Sequence, residues 1–133
     1  MKSPVSILAA FLLFAGLAAV QVIPAKGAEQ GLEVQKIVMA TSVNNRAPVG
    51  ENTEFPASVG TLSCWTKIAA KTVPATIKHV WYFGDKKVFE LPLDIKYASM
   101  QTWSTKSVKP GTWKVVVTDE AGTELSSVSF TVK

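Results

Sequence analysis

The chain has 133 residues and a formal net charge of +4, with one histidine and one cysteine. This length corresponds to a single domain and leaves no room for a second hydrophobic core. One cysteine excludes an intramolecular disulfide, and one histidine plus one cysteine fall short of the ligand set that zinc prefers. The lysines are spread along the sequence, so we expect no basic face that would bind nucleic acid. We also expect no metal and no cofactor.

The N-terminal segment has the pattern of a secretory signal peptide. Lys2 supplies the positive charge, and an apolar run over residues 5–22 follows it. Ala25 and Gly27 are the small residues expected at positions −3 and −1 of a cut before Ala28. We therefore expect export by this segment.

This pattern divides the chain into two parts. We expect residues 1–27 to be a helical signal peptide and residues 28–133 to be the mature domain, periplasmic or extracellular. The alternative is an uncleaved anchor, because the apolar run approaches the roughly 20 residues that span a bilayer. The protein would then meet the membrane only through this N-terminal segment.

The mature chain consists of short alternating segments separated by turn residues. Residues 44–56 carry two prolines and a glycine and are predicted to be a long loop or a crossover. Pro92 indicates an edge strand or a bulge. Strand spacings of roughly 8–12 residues predict an all-β, immunoglobulin-like antiparallel β-sandwich of about seven strands. The predicted strands are residues 32–43, 58–69, 75–83, 88–95, 99–108, 112–119 and 125–133.

The segment "IKHVWYF" contains the only histidine. Alternation places His79 on one face with Ile77, Trp81 and Phe83, and this face is predicted to be a core face. We therefore expect His79 to be structural, with its ring bonded to a backbone carbonyl or a hydroxyl.

Two further residues are predicted to be core by the same alternation. Trp113 shares a face with Val115 and Val117, and Cys64 lies on the face of Leu62. A buried, inert thiol is the expected state of Cys64. No catalytic residue is predicted, because a cysteine–histidine pair would also need an orienting third group and an open pocket.

Four residues are the candidate ligand contacts. Trp65 and Trp103 lie on otherwise polar strand faces, where flat aromatic rings could stack on a ligand. Tyr82 lies on the strand face opposite His79, and Arg46 is the only arginine, in a predicted loop. The alternative for the two tryptophans is that a loop or the N-terminal strand covers them.

Five segments also carry a family pattern, with His-x-Trp-Tyr and Gly-x-Trp-x-Val-x-Val as its most specific elements. Over nearly all of its length, the mature chain resembles an uncharacterised bacterial family of small exported or membrane-tethered β-domains. The resemblance implies a β-domain without an established activity, substrate or cofactor. The family pattern has arginine at the position of Gln101, so this chain departs from it there. The segments are "NRAPVG" (45–50), "FPASVGTLSCWTKI" (55–68), "IKHVWYF" (77–83), "TWSTK" (102–106) and "PGTWKVVVTDEAG" (110–122).

These features lead to a functional hypothesis. The chain is expected to be a non-catalytic exported binding domain of the bacterial envelope that recognises a protein partner or a glycan. One alternative is a structural or assembly module, or a spacer without a ligand. Another is a membrane-anchored accessory domain, if the N-terminal helix is not cleaved. An enzyme is disfavoured because the chain offers few candidate catalytic groups.

Overall fold

A computed structural model describes residues 31–133, so the predicted signal peptide lies outside the described residues. The described part consists of strands and one short 3-10 turn, Ala57–Val59. It contains no helix long and apolar enough to cross a bilayer. The strands are β1 (Glu33–Ala40), β2 (Ser42–Asn44), β3 (Ala47–Val49), β4 (Glu54–Phe55), β5 (Thr61–Ala69), β6 (Ala75–Phe83), β7 (Lys86–Ile95), β8 (Ser99–Ser107), β9 (Gly111–Asp119) and β10 (Glu124–Val132).

The strands form two main sheets and a small hairpin. The first sheet has the order β1-β5-β8, the second has the order β4-β10-β9-β6-β7, and β2 pairs with β3. The seven long strands match the predicted ones, and the all-β sandwich is confirmed. The long strands pair antiparallel, as predicted, and the two-residue strand β4 runs parallel to β10.

The core lies between the two sheets because each long strand turns one apolar face inward. In the larger cluster, Leu62 and Cys64 from the three-stranded sheet pack with Trp81, Trp113 and other residues of the five-stranded sheet. A second cluster is built around Ile68, Ile77, Ile95 and Val117. The aromatic rings of the larger cluster meet edge to face, for example Trp81 and Trp113 with centroids 6.4 Å apart.

Residues 44–56, which were predicted to be a loop, contain short strands instead. Asn45 and Arg46 join β2 to β3 with φ angles of 53° and 64°. Two successive residues of positive φ form the type I′ turn, whose twist matches that of a hairpin. The prediction failed here because "NNR" lacks the glycine that usually marks such a turn.

The sequence of β7 explains its position at the edge of the five-stranded sheet. Proline cannot donate to a sheet ladder, and Pro92 lies opposite Lys78 on the outermost strand of the five-stranded sheet. Phe89 and Leu93 point inward from this strand but remain partly exposed. This side of the sandwich is therefore less completely closed than its centre.

Candidate functional site

The outer face of the three-stranded sheet carries a pair of tryptophans. Trp65 of β5 lies directly opposite Trp103 of β8. The Trp65 indole nitrogen donates a hydrogen bond of 3.0 Å to the backbone oxygen of Arg46, in the turn of the β2–β3 hairpin. The hairpin therefore folds onto this face of the sheet.

The expectation that Trp65 is an exposed ligand contact needs correction. Only 5% of Trp65 is exposed, because the hairpin turn lies over it. Trp103 remains partly exposed at the open edge of the same sheet. Alternation correctly placed Trp65 away from the core, but it could not show what lies above that face.

Arg46 is held over Trp103 in a defined position. The centre of its guanidinium lies 5.6 Å from the Trp103 ring centroid, within the range of a cation–π contact. Its Nη2 donates to the backbone oxygen of Gln101 at 2.8 Å, and its Nε donates to the Gln101 side-chain oxygen at 3.4 Å. Gln101 was not predicted to contribute to this site, although its alternation with Trp103 places both on one strand face.

Two lysines lie near Gln101 on the same face of the sheet. Lys67 lies next to Gln101 across the β5–β8 ladder, and Lys36 lies next to Lys67 across the β1–β5 ladder. Lys36 is 3.7 Å from a carboxylate oxygen of Glu51. Among residues 31–133, neither Arg46 nor Lys67 forms an ion pair. We call Arg46, Lys67, Gln101 and Trp103 the Arg46 surface.

Tyr82 does not belong to this surface. It lies on the outer face of the five-stranded sheet, opposite Lys114 of β9 and Lys87 of β7. The Lys114 ammonium is 5.7 Å from the Tyr82 ring centroid. Of the four candidate ligand contacts, the structure brings Arg46, Trp65 and Trp103 together and leaves Tyr82 on the opposite sheet.

His79 lies between the two sheets and is fully buried. Its Nδ1 is 2.7 Å from the Ser104 hydroxyl, and its Nε2 is 3.2 Å from the Thr66 hydroxyl. Both partners come from the three-stranded sheet, so the imidazole bridges the sandwich. The sequence of β8 could have indicated that Ser104 faces the core. Ser104 follows Trp103, so the two side chains point to opposite faces of the sheet, and that of Ser104 points inward.

The hydrogen bonds around His79 assign its tautomer. Thr66 donates to the backbone oxygen of Thr102 at 3.0 Å, so its oxygen accepts the proton of His79 Nε2. His79 Nδ1 is then the acceptor for the Ser104 hydroxyl, whose oxygen accepts the Trp81 indole N–H at 2.9 Å. Every polar group in this series of hydrogen bonds has a partner only while the His79 ring is neutral. Burial lowers the pKa of His79 to about 4, which keeps it neutral at pH 7.

The thiol of Cys64 lies in the larger core cluster. Burial raises its pKa far above the ordinary value, so the thiol stays protonated and weakly nucleophilic. Both ring nitrogens of His79 are bonded to hydroxyls, so neither serves Cys64 as a base. Within residues 31–133, no three side chains of His, Cys, Asp or Glu are grouped to hold a metal ion.

Comparison with known proteins gives one family match. The family described as "Protein of unknown function (DUF2914)" matches residues 74–132, which is less than half of the chain. The matched part runs from β6 to β10 and contains His79, Trp81, Trp103 and Trp113. It does not include the segments at 45–50 and 55–68. No curated protein gives a significant match. Residues 74–132 are thus similar to a domain of unknown function, consistent with the predicted resemblance to an uncharacterised family.

Proposed function

We propose that this chain is a non-catalytic binding domain of the bacterial envelope, and that its Arg46 surface binds a carboxylate of an acidic partner segment. The signal-peptide pattern of residues 1–27 supports an envelope location. The engagement of both His79 nitrogens and the burial of Cys64 support a role without catalysis.

The conformation of Arg46 is the observation that carries this proposal. Arg46 occupies a turn position with a φ of 64°, where a residue with a Cβ is disfavoured by about 1 kcal/mol relative to glycine. Asn-Gly is the preferred pair for a type I′ turn, yet this turn has Asn45 followed by Arg46. The geometry of the hairpin does not explain why an arginine stands at this position. A role for the arginine side chain would explain it.

The chemistry of the surface favours a carboxylate. A guanidinium has five N–H donors in a planar fork that matches a carboxylate. Arg46 uses one donor on each of two nitrogens to bond Gln101. No acid within residues 31–133 forms an ion pair with the guanidinium, so its remaining N–H donors are available to the carboxylate of a partner. Lys67 adds a second positive charge beside them.

The same geometry disfavours a neutral glycan. Sugar rings bind proteins by stacking on exposed aromatic faces, and the Arg46 guanidinium already lies over Trp103. A neutral sugar would have to displace this contact and the two bonds to Gln101. A carboxylate binds the guanidinium where it stands. We therefore favour an acidic protein segment over a neutral glycan.

Calorimetric titration with an acetylated hexaglutamate peptide tests the proposal, with hexaglutamine as the uncharged control. Arg46→Gly removes the side chain and leaves a residue that fits the turn. We expect this change to weaken peptide binding by about tenfold or more, as for loss of a charge-assisted hydrogen bond. The stability of the domain should change by less than about 1 kcal/mol, because relief of the turn offsets loss of the Gln101 bonds.

Lys86→Gln is the matched control, because it removes an exposed positive charge that forms no ion pair with residues 31–133 and lies on β7, in the other sheet; peptide affinity should be unchanged. Equal peptide affinity in Arg46→Gly and the unchanged protein would contradict the proposal. Oligogalacturonate, an acidic glycan, provides a further comparison. If the domain binds this glycan and does not bind the peptide, the partner is an acidic glycan rather than a protein.

A further inference from the structure

A groove opens at the end of the sandwich where the β6–β7 turn meets the β8–β9 turn. Its volume is about 340 Å³, at the lower end of the range for small-molecule sites. It lies on the opposite side of β8 from the hairpin and shares no residue with the Arg46 surface. Its lining includes four apolar side chains, Phe83, Val88, Val108 and Trp113, and two lysines, Lys106 and Lys109.

The floor of this groove is continuous with the larger core cluster. The Phe83 ring meets Trp113 with centroids 4.9 Å apart, and Phe83 and Val108 both pack against the cluster. Val88 is 37% exposed beside them. The Trp113 indole donates to the backbone oxygen of Lys109, which fixes the β8–β9 turn against the floor. An apolar chain placed here would cover partly exposed aromatic and aliphatic surface.

Two lysines form the rim of the groove. The Lys109 ammonium lies 4.6 Å from the Phe83 ring centroid, and the Lys106 ammonium lies 5.8 Å from that of Phe89. Neither lysine forms an ion pair with any of residues 31–133. Lys87 is different, because it bonds Glu90 at 3.0 Å. The rim therefore presents positive charge that the described chain does not neutralise.

We propose that this groove binds a single-chain amphiphilic anion, an apolar chain ending in a carboxylate. The chain would lie along Val88 and Val108, next to the Phe83 ring that carries the Lys109 ammonium, and the carboxylate would contact the two rim lysines. The groove's small volume favours one chain over a two-chain lipid. A cation–π contact with Phe83 already holds the Lys109 ammonium beside the floor, so this side chain loses little freedom on binding.

Titration with dodecanoate below its micellar concentration, followed by tryptophan fluorescence and calorimetry, tests this proposal. Dodecanol supplies the same chain without the charge, and acetate supplies the charge without the chain. We expect saturable binding of dodecanoate, with affinity about tenfold or more above that of either comparator. Dodecanol binding as tightly as dodecanoate would overturn the proposal.

The double variant Lys106→Gln/Lys109→Gln should weaken dodecanoate binding by about tenfold or more. The matched control is Lys71→Gln/Lys96→Gln, which removes two exposed charges that line neither the groove nor the Arg46 surface and should leave binding unchanged. Unchanged affinity in the Lys106/Lys109 variant would overturn the proposal, as would binding only to anionic vesicles. Thermal unfolding of both variants verifies that they fold. Arg46→Gly should not alter dodecanoate binding, so this site and the Arg46 surface can fail independently.

Discussion

Both ring nitrogens of His79 are bonded to hydroxyl groups of the three-stranded sheet, so this imidazole connects the two sheets of the sandwich. A histidine flanked by Ile77 and Trp81 on a strand face predicts burial. Alternation does not identify the partners, since Thr66 and Ser104 belong to the opposite sheet. Their pairing with His79 depends on how the two sheets pack.

The neutral state of His79 predicts a pH-dependent stability. Its pKa is lowered from the ordinary 6.5 to about 4, so the unfolded chain binds the proton more tightly than the folded one. The stabilisation is present above about pH 6.5 and is lost as the pH falls towards 4. Between pH 7 and pH 5, we expect the free energy of unfolding to fall by about 2 kcal/mol, measured by urea denaturation.

His79→Gln is the matched variant, because an amide can bond hydroxyls and does not titrate in this range. Its free energy of unfolding should be lower at pH 7 and nearly constant between pH 7 and pH 5. The same pH dependence in this variant and in the unchanged protein would assign the effect to other groups.

Among the strands and turns, the β2–β3 hairpin determines which side chains are exposed on the outer face of the three-stranded sheet. It covers Trp65, places Arg46 over Trp103, and closes through the Thr41 N–H to Val49 oxygen bond of 3.0 Å. Composition predicted a loop because prolines and asparagines dominate this stretch. The bond from Trp65 shows that the stretch also packs against the sheet.

Removing this anchoring bond should loosen the hairpin without unfolding the sandwich. Trp65→Phe keeps an aromatic ring and deletes the N–H that bonds Arg46. We expect amide exchange in residues 42–49 to accelerate about fivefold, as for loss of about 1 kcal/mol of local stability. Hydrogen-exchange mass spectrometry measures this, and peptides from β9 and β10 should be unchanged. Trp103→Phe is the control, because the Trp65 bond remains, and similar acceleration in both variants would contradict the anchoring role.

At the scale of the whole molecule, the seven long strands were predictable because turn residues and period-two alternation are local features. The assignment of those strands to two sheets was not. Cys64 and His79 lie on consecutive long strands, yet β5 and β6 belong to different sheets. The parallel pair β4–β10 joins residues 54–55 to 131–132 and has no local signal.

The division of the chain at residue 28 is a prediction about the whole protein. If the small-residue site is cut, the exported protein begins at Ala28, five residues before β1 starts at Glu33. Intact-mass measurement of the exported protein should give the mass of residues 28–133. A mass that retains residues 1–27 would favour the membrane-anchored alternative.

Patterns within single strands were enough to predict the strands, their inward faces and the burial of His79, Trp81 and Trp113. Which outer faces stay open depends on contacts between strands and turns that are distant in the chain. The hairpin buries Trp65, and the meeting of two turns places Lys106 and Lys109 in one groove with Phe83. Contacts between residues distant in the chain depend on the packing of all the strands together, and two-residue periodicity carries no information about that packing.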